Sequence, residues 1–319
     1  MLLLTTLTLT GPARAQAPPP MVNGELTSEH PQVGALVVLS GQGGGSFCSG
    51  TLIHPEWVLT AGHCVIPAED YDNAGARVLF YMAPNVYVQE DVVGYADADE
   101  FYVHPTYKGE SSIGSAWDLG LLHLETPITA VPPMPLNTDD MTDWVGEIIT
   151  FLGYGVTSDN GSGSGIKRKT NIPIRPETND VVIYAYDPVQ NLCSGDSGGG
   201  GLRQDDATGA WEIVGVNSFV FAVQSSNSLC VGGGSGSARI DTAMEWIEGY
   251  VPLDEVSFGA PALDVDDPMY IDTGDPSDPY DNDMVAEEPG LFGCSQVPGG
   301  SSLWVVAMAM GGLLLRRRD

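Results

Sequence analysis

Short runs of β-favouring residues, separated by turn-forming residues, recur along the chain and restrict its fold more than any other feature. They cover residues 34–39, 47–53, 57–60, 77–82, 119–124, 147–152, 181–186 and 211–221. Runs of this length and spacing are typical of a β-sandwich or a β-barrel. The chain has 40 Gly and 23 Pro among 319 residues, and both types are weak in helix interiors. One convincing helical pattern starts at Asp241 as N-cap and ends at Tyr250. The sequence therefore predicts an all-β protein with a C-terminal helix.

The charge of the chain is strongly negative and unevenly distributed. There are 42 acidic and 12 basic side chains, a formal net charge of −30, which argues against a nucleic-acid partner. Residues 21–252 carry 29 acidic and 8 basic groups, whereas residues 253–290 carry 12 acidic groups and no Lys or Arg. We therefore divide the chain into a leader and short propeptide (1–20), a globular domain (21–252), an acidic linker (253–293) and a tail (294–319).

The leader has the pattern of a secretory signal. Residues 2–10 are apolar or Thr, and Ala13-Arg14-Ala15 places small residues at the alternate positions that signal peptidase prefers. We expect signal peptidase to cut after Ala15, and the protein to be secreted. The alternative is that these residues form a frayed N-terminal strand.

The linker is rich in Asp and Pro and poor in large apolar residues. It cannot bury enough surface to offset the entropy of ordering, and its own charge extends it, so we expect a disordered, solvated stalk. Its spaced carboxylates could instead bind calcium, although the glycine and terminal glutamate spacing of an EF-hand is missing.

The tail ends in an apolar run, Leu303–Leu315, followed by Arg316–Arg318. Extended back to Val297, the run has about 19 residues, which is just enough to cross a bilayer. The arginines would keep that end cytoplasmic. The alternative is a C-terminal core helix.

The tail also resembles the Myxo-CTERM sorting signals of some Gram-negative bacteria. The resemblance rests on Gly293-Cys294-Ser295, the glycine-containing apolar run and the terminal arginines. It implies removal of the tail by a sortase-like membrane protease, display at the cell surface or outer membrane, and lipidation of Cys294. Cys294 could also be an unpaired thiol.

Four of the five cysteines lie in the globular domain: Cys48, Cys64, Cys193 and Cys230. In an exported chain they imply up to two disulfides. Four cysteines permit three pairings, and spacing alone does not choose among them.

Three segments of the globular domain carry potential chemistry. They are residues 60–64 around His63, Asp118 at the start of an apolar strand, and Gly195–Gly199 around Ser197. Separately, each could be a packed histidine, a turn aspartate or a loop serine. Together they suit nucleophilic catalysis, because an imidazole can take the proton of a serine hydroxyl and a carboxylate can orient the imidazole. The other histidines, His30, His54, His104 and His123, lack such surroundings, so we expect structural or surface roles for them.

With AGHC, WDLGLL and GDSGG in this order, the sequence resembles the chymotrypsin/trypsin family of serine endopeptidases from about Met21 to Tyr250. The resemblance implies a trypsin-like double antiparallel β-barrel (about 21–135 and 136–252) and a hydrolase acting on proteins or peptides as a monomer, without metal or cofactor. It makes His63 the general base, Asp118 its orienting carboxylate and Ser197 the nucleophile.

The resemblance further implies an oxyanion hole formed by the backbone N–H groups of Gly195 and Ser197. It also pairs the cysteines as Cys48–Cys64 and Cys193–Cys230, a choice that the residues alone left open.

The sequence departs from the family where the mature chain would begin. Met21 stands where the family has a freed Ile or Val, and Pro18–Pro20 precede it without Lys or Arg. We expect a zymogen from which another protease removes residues 16–20, so that the Met21 ammonium pairs with Asp196.

The expected specificity pocket contains Asn191, Ser218, Val220 and Ser235. Asn191 stands where trypsin-like members carry an aspartate, so we expect no preference for Lys or Arg. A β-branched Val220 at the entrance favours small or medium apolar side chains. Gly200 replaces the proline that usually follows GDSGG.

Two other classes of function fit parts of the sequence. The chain could be a catalytically silent surface binding or adhesion protein with a protease fold. It could also be a calcium-dependent stalk protein in which the acidic linker is the functional part. The complete His, Asp and Ser set favours the protease.

Overall fold

The computed structural model describes residues 20–41, 43–109, 117–159, 161–223 and 228–256. The predicted leader, most of the acidic linker and the tail with Cys294 lie outside these residues. Within these ranges, none of the helices has both the length and the apolar character needed to cross a bilayer.

The described part of the chain is built mainly from antiparallel strands. In chain order they are β1 (Glu25–Leu26), β2 (Val33–Ser40), β3 (Gly43–His54), β4 (Trp57–Thr60), β5 (Arg77–Met82), β6 (Gly94–Val103), β7 (Gly120–Leu124), β8 (Ile148–Gly153), β9 (Arg168–Pro173), β10 (Val182–Tyr186), β11 (Gly200–Gln204), β12 (Trp211–Phe221) and β13 (Gly234–Arg239). The α-helices are α1 (Pro20–Asn23), a kinked turn, α2 (Gly62–Asn73) and α3 (Met244–Glu248), and 3₁₀ turns lie at Gln89–Asp91, Asp241–Ala243 and Leu253–Glu255. The prediction of an all-β protein with a short C-terminal helix is confirmed.

Six strands close into a barrel in the order β2-β3-β4-β7-β6-β5. Its interior is filled by fully buried aliphatic and aromatic side chains, among them Leu36, Leu52, Phe80 and Leu121. A closed sheet leaves no unpaired strand edge, so the barrel positions the residues at its strand ends.

The remaining strands form an open seven-stranded sheet, a half-barrel with the order β1-β9-β8-β11-β12-β13-β10. Although β1 precedes the barrel in the chain, it pairs with β9 of this sheet, with Leu26 opposite Arg168. The N-terminal segment is thereby tied to the half of the molecule that carries Ser197.

Several elements are not predicted by the sequence pattern, in which the one convincing helix was that at residues 241–250. The 12-residue helix α2 has no clear apolar stripe and contains Pro67. The unpredicted strands β1, β6, β9, β11 and β13 are very short, polar or glycine-rich. Strand β13 is nonetheless buried along its whole length, because its position between β10 and β12 overrides the low strand propensity of glycine.

Two glycines of β13 are required by close packing. A Cβ atom on Gly236 would lie 2.1 Å from the ring of Phe219, and one on Gly234 would lie 2.4 Å from the ring of Phe221. The aromatic rings of β12 therefore cover the glycines of its neighbour.

The late helix begins differently from the prediction. Asp241 lies within a 3₁₀ turn, Asp241–Ala243, that leads into α3, and it is not the N-cap of a regular helix. Its carboxylate accepts a 2.9 Å hydrogen bond from Nε of Arg239, two residues earlier in the chain.

The structure contains the disulfides Cys48–Cys64 and Cys193–Cys230, the pairing that the family resemblance implied. The first joins β3 to α2 in the barrel half, and the second lies in the half-barrel.

Candidate active site

Strand pairing brings His63 and Asp118 together. His63 is the second residue of α2, just after β4, and Asp118 lies just before β7, which pairs with β4. His63 Nδ1 is 2.7 Å from Asp118 Oδ2, and the backbone N–H of His63 donates to Asp118 Oδ1 over 2.9 Å. The carboxylate therefore holds both the ring and the backbone of the histidine.

Asp118 is 2% exposed and accepts a further hydrogen bond from the hydroxyl of Ser218. Burial acts to raise the pKa of Asp118, but the hydrogen bonds from His63 and Ser218 and the His63 charge hold that pKa below its ordinary value. The group is thus an anion at neutral pH. Ser218, which the sequence assigned to the specificity pocket, contacts the carboxylate of the candidate catalytic pair.

The backbone before Asp118 is in an unusual conformation. Trp117 has a φ of 66°, in the left-handed region that a bulky residue seldom adopts. Its ring stacks on that of His104 with a centroid separation of 4.7 Å. The stack helps to offset the strain at Trp117 and to fix the orientation of the Asp118 side chain that follows it.

Ser197 lies on a loop folded around two glycines, Gly195 (φ 92°) and Gly198 (φ 82°). A Cβ on Gly198 would lie 2.1 Å from Oγ1 of Thr60, three residues before His63. The carbonyl oxygen of Ser197 is also 3.6 Å from Sγ of Cys64, the neighbour of His63. The fold therefore packs the serine loop directly against the histidine segment.

Ser49 and Asn217 hold the serine loop, and neither belongs to a motif that predicts this role. Ser49 Oγ donates to the Gly195 carbonyl over 2.9 Å, and its N–H donates to the Ser197 carbonyl over 2.8 Å. Asn217 Nδ2 donates to the Asp196 carbonyl over 3.1 Å. Their positions next to Cys48 and Ser218 are the only sequence signal for this role.

The side chain of Asp196 is buried beneath the same loop. It accepts hydrogen bonds from the N–H of Gly155 over 2.8 Å and of Cys193 over 2.9 Å. Burial raises the pKa of Asp196 to about 6, although these hydrogen bonds and Arg168 act in the opposite direction. The buried Arg168 is a further residue that the sequence analysis missed, and no local motif signals it.

Met21 lies close to this region of the molecule. Its side chain is fully buried in the half-barrel core with Ile149 and Phe151, and the next residue, Val22, packs by Cys193. The described hydrogen bonds of the Asp196 carboxylate come from backbone groups, so its pairing with a Met21 ammonium stays a proposal.

Three of the expected pocket residues can be described by their burial, strand pairing and hydrogen bonds. Val220 lies opposite Ser235 in the pairing of β12 with β13. Asn191 and Ser235 are fully buried, and Asn191 Nδ2 donates to the Leu229 carbonyl over 3.1 Å. Asn191 Oδ1 and Ser235 Oγ have no hydrogen-bond partner among the described residues. Neither residue offers a negative charge.

The described residues contain one close group of metal-ligand types, namely Cys48, His63 and Cys64. The two sulfur atoms are bonded to each other, so neither is a thiolate available to a metal ion.

Comparison with known proteins agrees with this geometry. The family model described as Trypsin matches residues 21–247, so the chain belongs to the trypsin family and is a serine endopeptidase. It is 27% identical to Brachyurin of Leptuca pugilator over 206 residues, which cover 63% of this chain and 86% of that protein. It is 28% identical to Trypsin of Saccharopolyspora erythraea over 197 residues, 60% of this chain and 82% of the relative. A Venom serine protease of Polistes dominula is 26% identical over 250 residues, 72% of this chain and 84% of that relative.

Proposed function

We propose that the enzyme hydrolyses peptide bonds through His63, Asp118 and Ser197. His63 Nε2 takes the proton of Ser197 Oγ as this oxygen attacks the substrate carbonyl, and then gives the proton to the leaving amine. An acyl group stays on Ser197 until water, activated by the same imidazole, releases it. Asp118 keeps the proton of His63 on Nδ1 and stabilises the imidazolium.

The backbone N–H groups of Gly195 and Ser197 would stabilise the oxyanion of the tetrahedral intermediates. The positive φ of Gly195 and the hydrogen bond from Ser49 to its carbonyl support this proposal, because they fix the peptide next to the nucleophile.

The observation that carries the proposal is the double contact of Asp118 with His63, through Nδ1 and the backbone N–H. A catalytically silent binding protein with this fold would not need a buried carboxylate aimed at a histidine next to the serine loop.

A fluorophosphonate, which phosphonylates an activated serine with loss of fluoride, tests the proposal. We expect stoichiometric labelling of the wild-type chain and none of Ser197→Ala. Ser46→Ala is a matched control, because Ser46 is a buried serine of the barrel half outside the site. No labelling of the mature wild type, with Ser197→Ala behaving identically, would support the silent binding protein instead.

We propose that Asn191, Val220 and Ser235 line a specificity pocket that does not select Lys or Arg. The proposal is supported by the absence of a carboxylate at these three positions. It is also supported by the β-branched side chain of Val220, which would narrow the entrance of the pocket. A matched peptide series that varies only the residue before the cleaved bond tests it. We expect faster cleavage after small and medium side chains than after Arg, and the reverse order would refute the proposal.

We propose that activation removes the residues before Met21 and pairs the new ammonium with Asp196. The buried positions of Met21 and Val22 support this proposal, because the segment already lies within the half-barrel. N-terminal sequencing of the active enzyme is the test, and a start at Gln16 would contradict it.

We also propose that signal peptidase and a sortase-like protease process the ends of the chain and leave the enzyme at the cell surface. The support lies in the sequence, namely the leader, the acidic stalk and the tail with Cys294. Cell fractionation of a Gram-negative host tests this proposal. Cys294→Ser should release the enzyme into the medium, whereas an unchanged surface fraction would argue against lipidation of Cys294.

A further inference from the structure

Arg168, the first residue of β9, is a buried cation that the proposed reaction has not used. Its side chain is 3% exposed, and Nη1 donates to the carbonyl groups of Gly155 (3.3 Å), Ile166 (3.0 Å) and Gly163. Its Nε is buried and has no hydrogen-bond partner among the described residues. A buried guanidinium with incomplete hydrogen bonding requires a nearby negative charge to compensate it.

Gly155 connects this guanidinium to Asp196. The N–H of Gly155 donates to Asp196 Oδ1 over 2.8 Å, while its carbonyl accepts from Arg168 Nη1. A Cβ on Gly155 would lie 2.6 Å from the backbone N of Asp196, so only glycine fits between the two charged groups. Asp196 precedes Ser197, and a shift of its carboxylate would therefore move the nucleophile and the proposed oxyanion hole.

The electrostatics agree with this geometry. Burial raises the pKa of Asp196, and the positive charge of Arg168 acts against that rise. Burial lowers the pKa of Arg168 to about 10, so the guanidinium stays charged at neutral pH.

Arg168 also lies beside the N-terminal segment. Its Cα pairs with Leu26 of β1 on one side and with Gly153 of β8 on the other. The proposed Met21 ammonium would pair with the same carboxylate that Arg168 acts on, but the guanidinium exists before any cleavage.

We propose that Arg168 is a positioning residue for the serine loop, whose fixed charge holds ionised Asp196 in place without a free N-terminus. The inference rests on the proposed role of Ser197. It implies that the chain with residues 16–20 still attached already has part of the activity, and that cleavage before Met21 increases it.

The test compares Arg168→Gln, Arg168→Lys and a control, Arg175→Gln, in the full chain. N-terminal sequencing verifies that the chain has not been cleaved before Met21. Arg175 is a partly exposed arginine beside Glu177, just after β9. We expect the uncleaved wild type to react with the fluorophosphonate. Arg168→Gln should slow this reaction about 10- to 100-fold, since the oxyanion donors lose their fixed position. Arg168→Lys should recover most of the rate, and Arg175→Gln should leave it unchanged.

The pH profile separates positioning from general structural damage. The Asp196 carboxylate accepts from the N–H groups of Gly155 and Cys193, is influenced by the charge of Arg168 beyond Gly155, and would also pair with the proposed Met21 ammonium. Without the Arg168 charge, the pKa of Asp196 rises further, so the acid limb of reactivity should move to higher pH in Arg168→Gln. The wild type and Arg168→Lys should share one acid limb.

Hydrogen exchange of residues 193–199 gives a readout that does not need activity. We expect faster exchange in Arg168→Gln than in Arg175→Gln. If neither the uncleaved nor the cleaved wild type reacts with the fluorophosphonate but this difference is seen, the proposed protease mechanism fails and the positioning role of Arg168 stands. If only the cleaved wild type reacts, the implied activity before cleavage is wrong. Unchanged exchange in Arg168→Gln would overturn the inference. The inference would also be overturned if Arg168→Lys reacted as slowly as Arg168→Gln and both variants kept the wild-type pH profile.

Discussion

The two halves of the molecule position the candidate catalytic residues by different means. The closed barrel supplies His63 just after β4 and Asp118 just before β7, two neighbouring strands over an apolar core. The open half-barrel supplies Ser197 from a glycine-rich loop above buried charges. Its buried charged residues are Lys167, Arg168, Asp196 and Arg239, whereas Asp118 is the only buried Asp, Glu, Lys or Arg described in the barrel half.

In the part of the chain that the structure describes, the buried side-chain polar atoms without a hydrogen-bond partner follow the same division. Those of Arg168, Asn191, Glu212 and Ser235 lie in the half-barrel, and that of Thr51 lies in the barrel. Unsatisfied polar groups oppose folding unless a ligand or a counter-charge compensates them. The half-barrel therefore holds most of the described buried polar groups that need compensation, and we expect its stability to depend more on pH than that of the barrel.

The largest expected effect is that of Asp118→Asn on catalysis. The amide group would face Nδ1 of His63 and favour the wrong tautomer, so kcat/KM should fall on the order of 10⁴-fold. Peptide hydrolysis at pH 8 measures it. Asp97→Asn, which changes a surface aspartate paired with Arg77, is the control and should keep wild-type activity. A loss below about tenfold would show that the barrel half does not orient the histidine as described.

The two disulfides should differ in their contribution to stability. Cys48 and Cys64 are 16 residues apart, whereas Cys193 and Cys230 are 37 apart. A disulfide lowers the chain entropy of the unfolded state, and more so for a longer loop. Replacing Cys48 and Cys64 by Ser should therefore lower the unfolding free energy by about 3 kcal/mol, and replacing Cys193 and Cys230 by about 4 kcal/mol. Urea unfolding with linear extrapolation measures both losses. The variant lacking Cys193 and Cys230 should also lose more activity, because the Cys193 N–H holds Asp196. A larger loss of unfolding free energy in the variant lacking Cys48 and Cys64 would contradict this prediction.

The smallest expected effect is that of replacing Lys167, and it concerns stability and not activity. It is 2% exposed, and burial lowers its pKa from 10.5 to about 7. Between pH 7 and 10.5 the folded state therefore binds fewer protons than the unfolded state, so Lys167 makes the unfolding free energy rise with pH.

Lys167→Met should remove this rise and stabilise the protein at pH 7 by ~1–3 kcal/mol, because a buried charge is replaced by an apolar side chain. Urea unfolding at pH 7, 8.5 and 10 is the measurement. Lys169→Met, which removes a partly exposed lysine paired with Glu29, should keep the wild-type pH dependence. The same slope in wild type and Lys167→Met would show that the half-barrel tolerates this buried charge.

The sequence predicted strands best where β-branched and aromatic residues dominate. The runs 57–60, 77–82 and 211–221 coincide with β4, β5 and β12. It failed at β9 and β13, because polar and glycine-rich segments become strands only when neighbouring strands supply their hydrogen bonds. It also missed α2, whose buried face is irregular.

The sequence by itself determined the class of enzyme and the identity of the candidate residues, because a histidine, an aspartate and a glycine-framed serine each lie in a recognisable local motif. Only the tertiary structure decided what these residues contact. Asp118 meets His63 across 55 positions and Ser218 across 100, and Arg168 reaches Asp196 through Gly155. Such contacts depend on strand register and on the burial of charge, which are properties of the whole fold and leave no pattern in a short stretch of sequence.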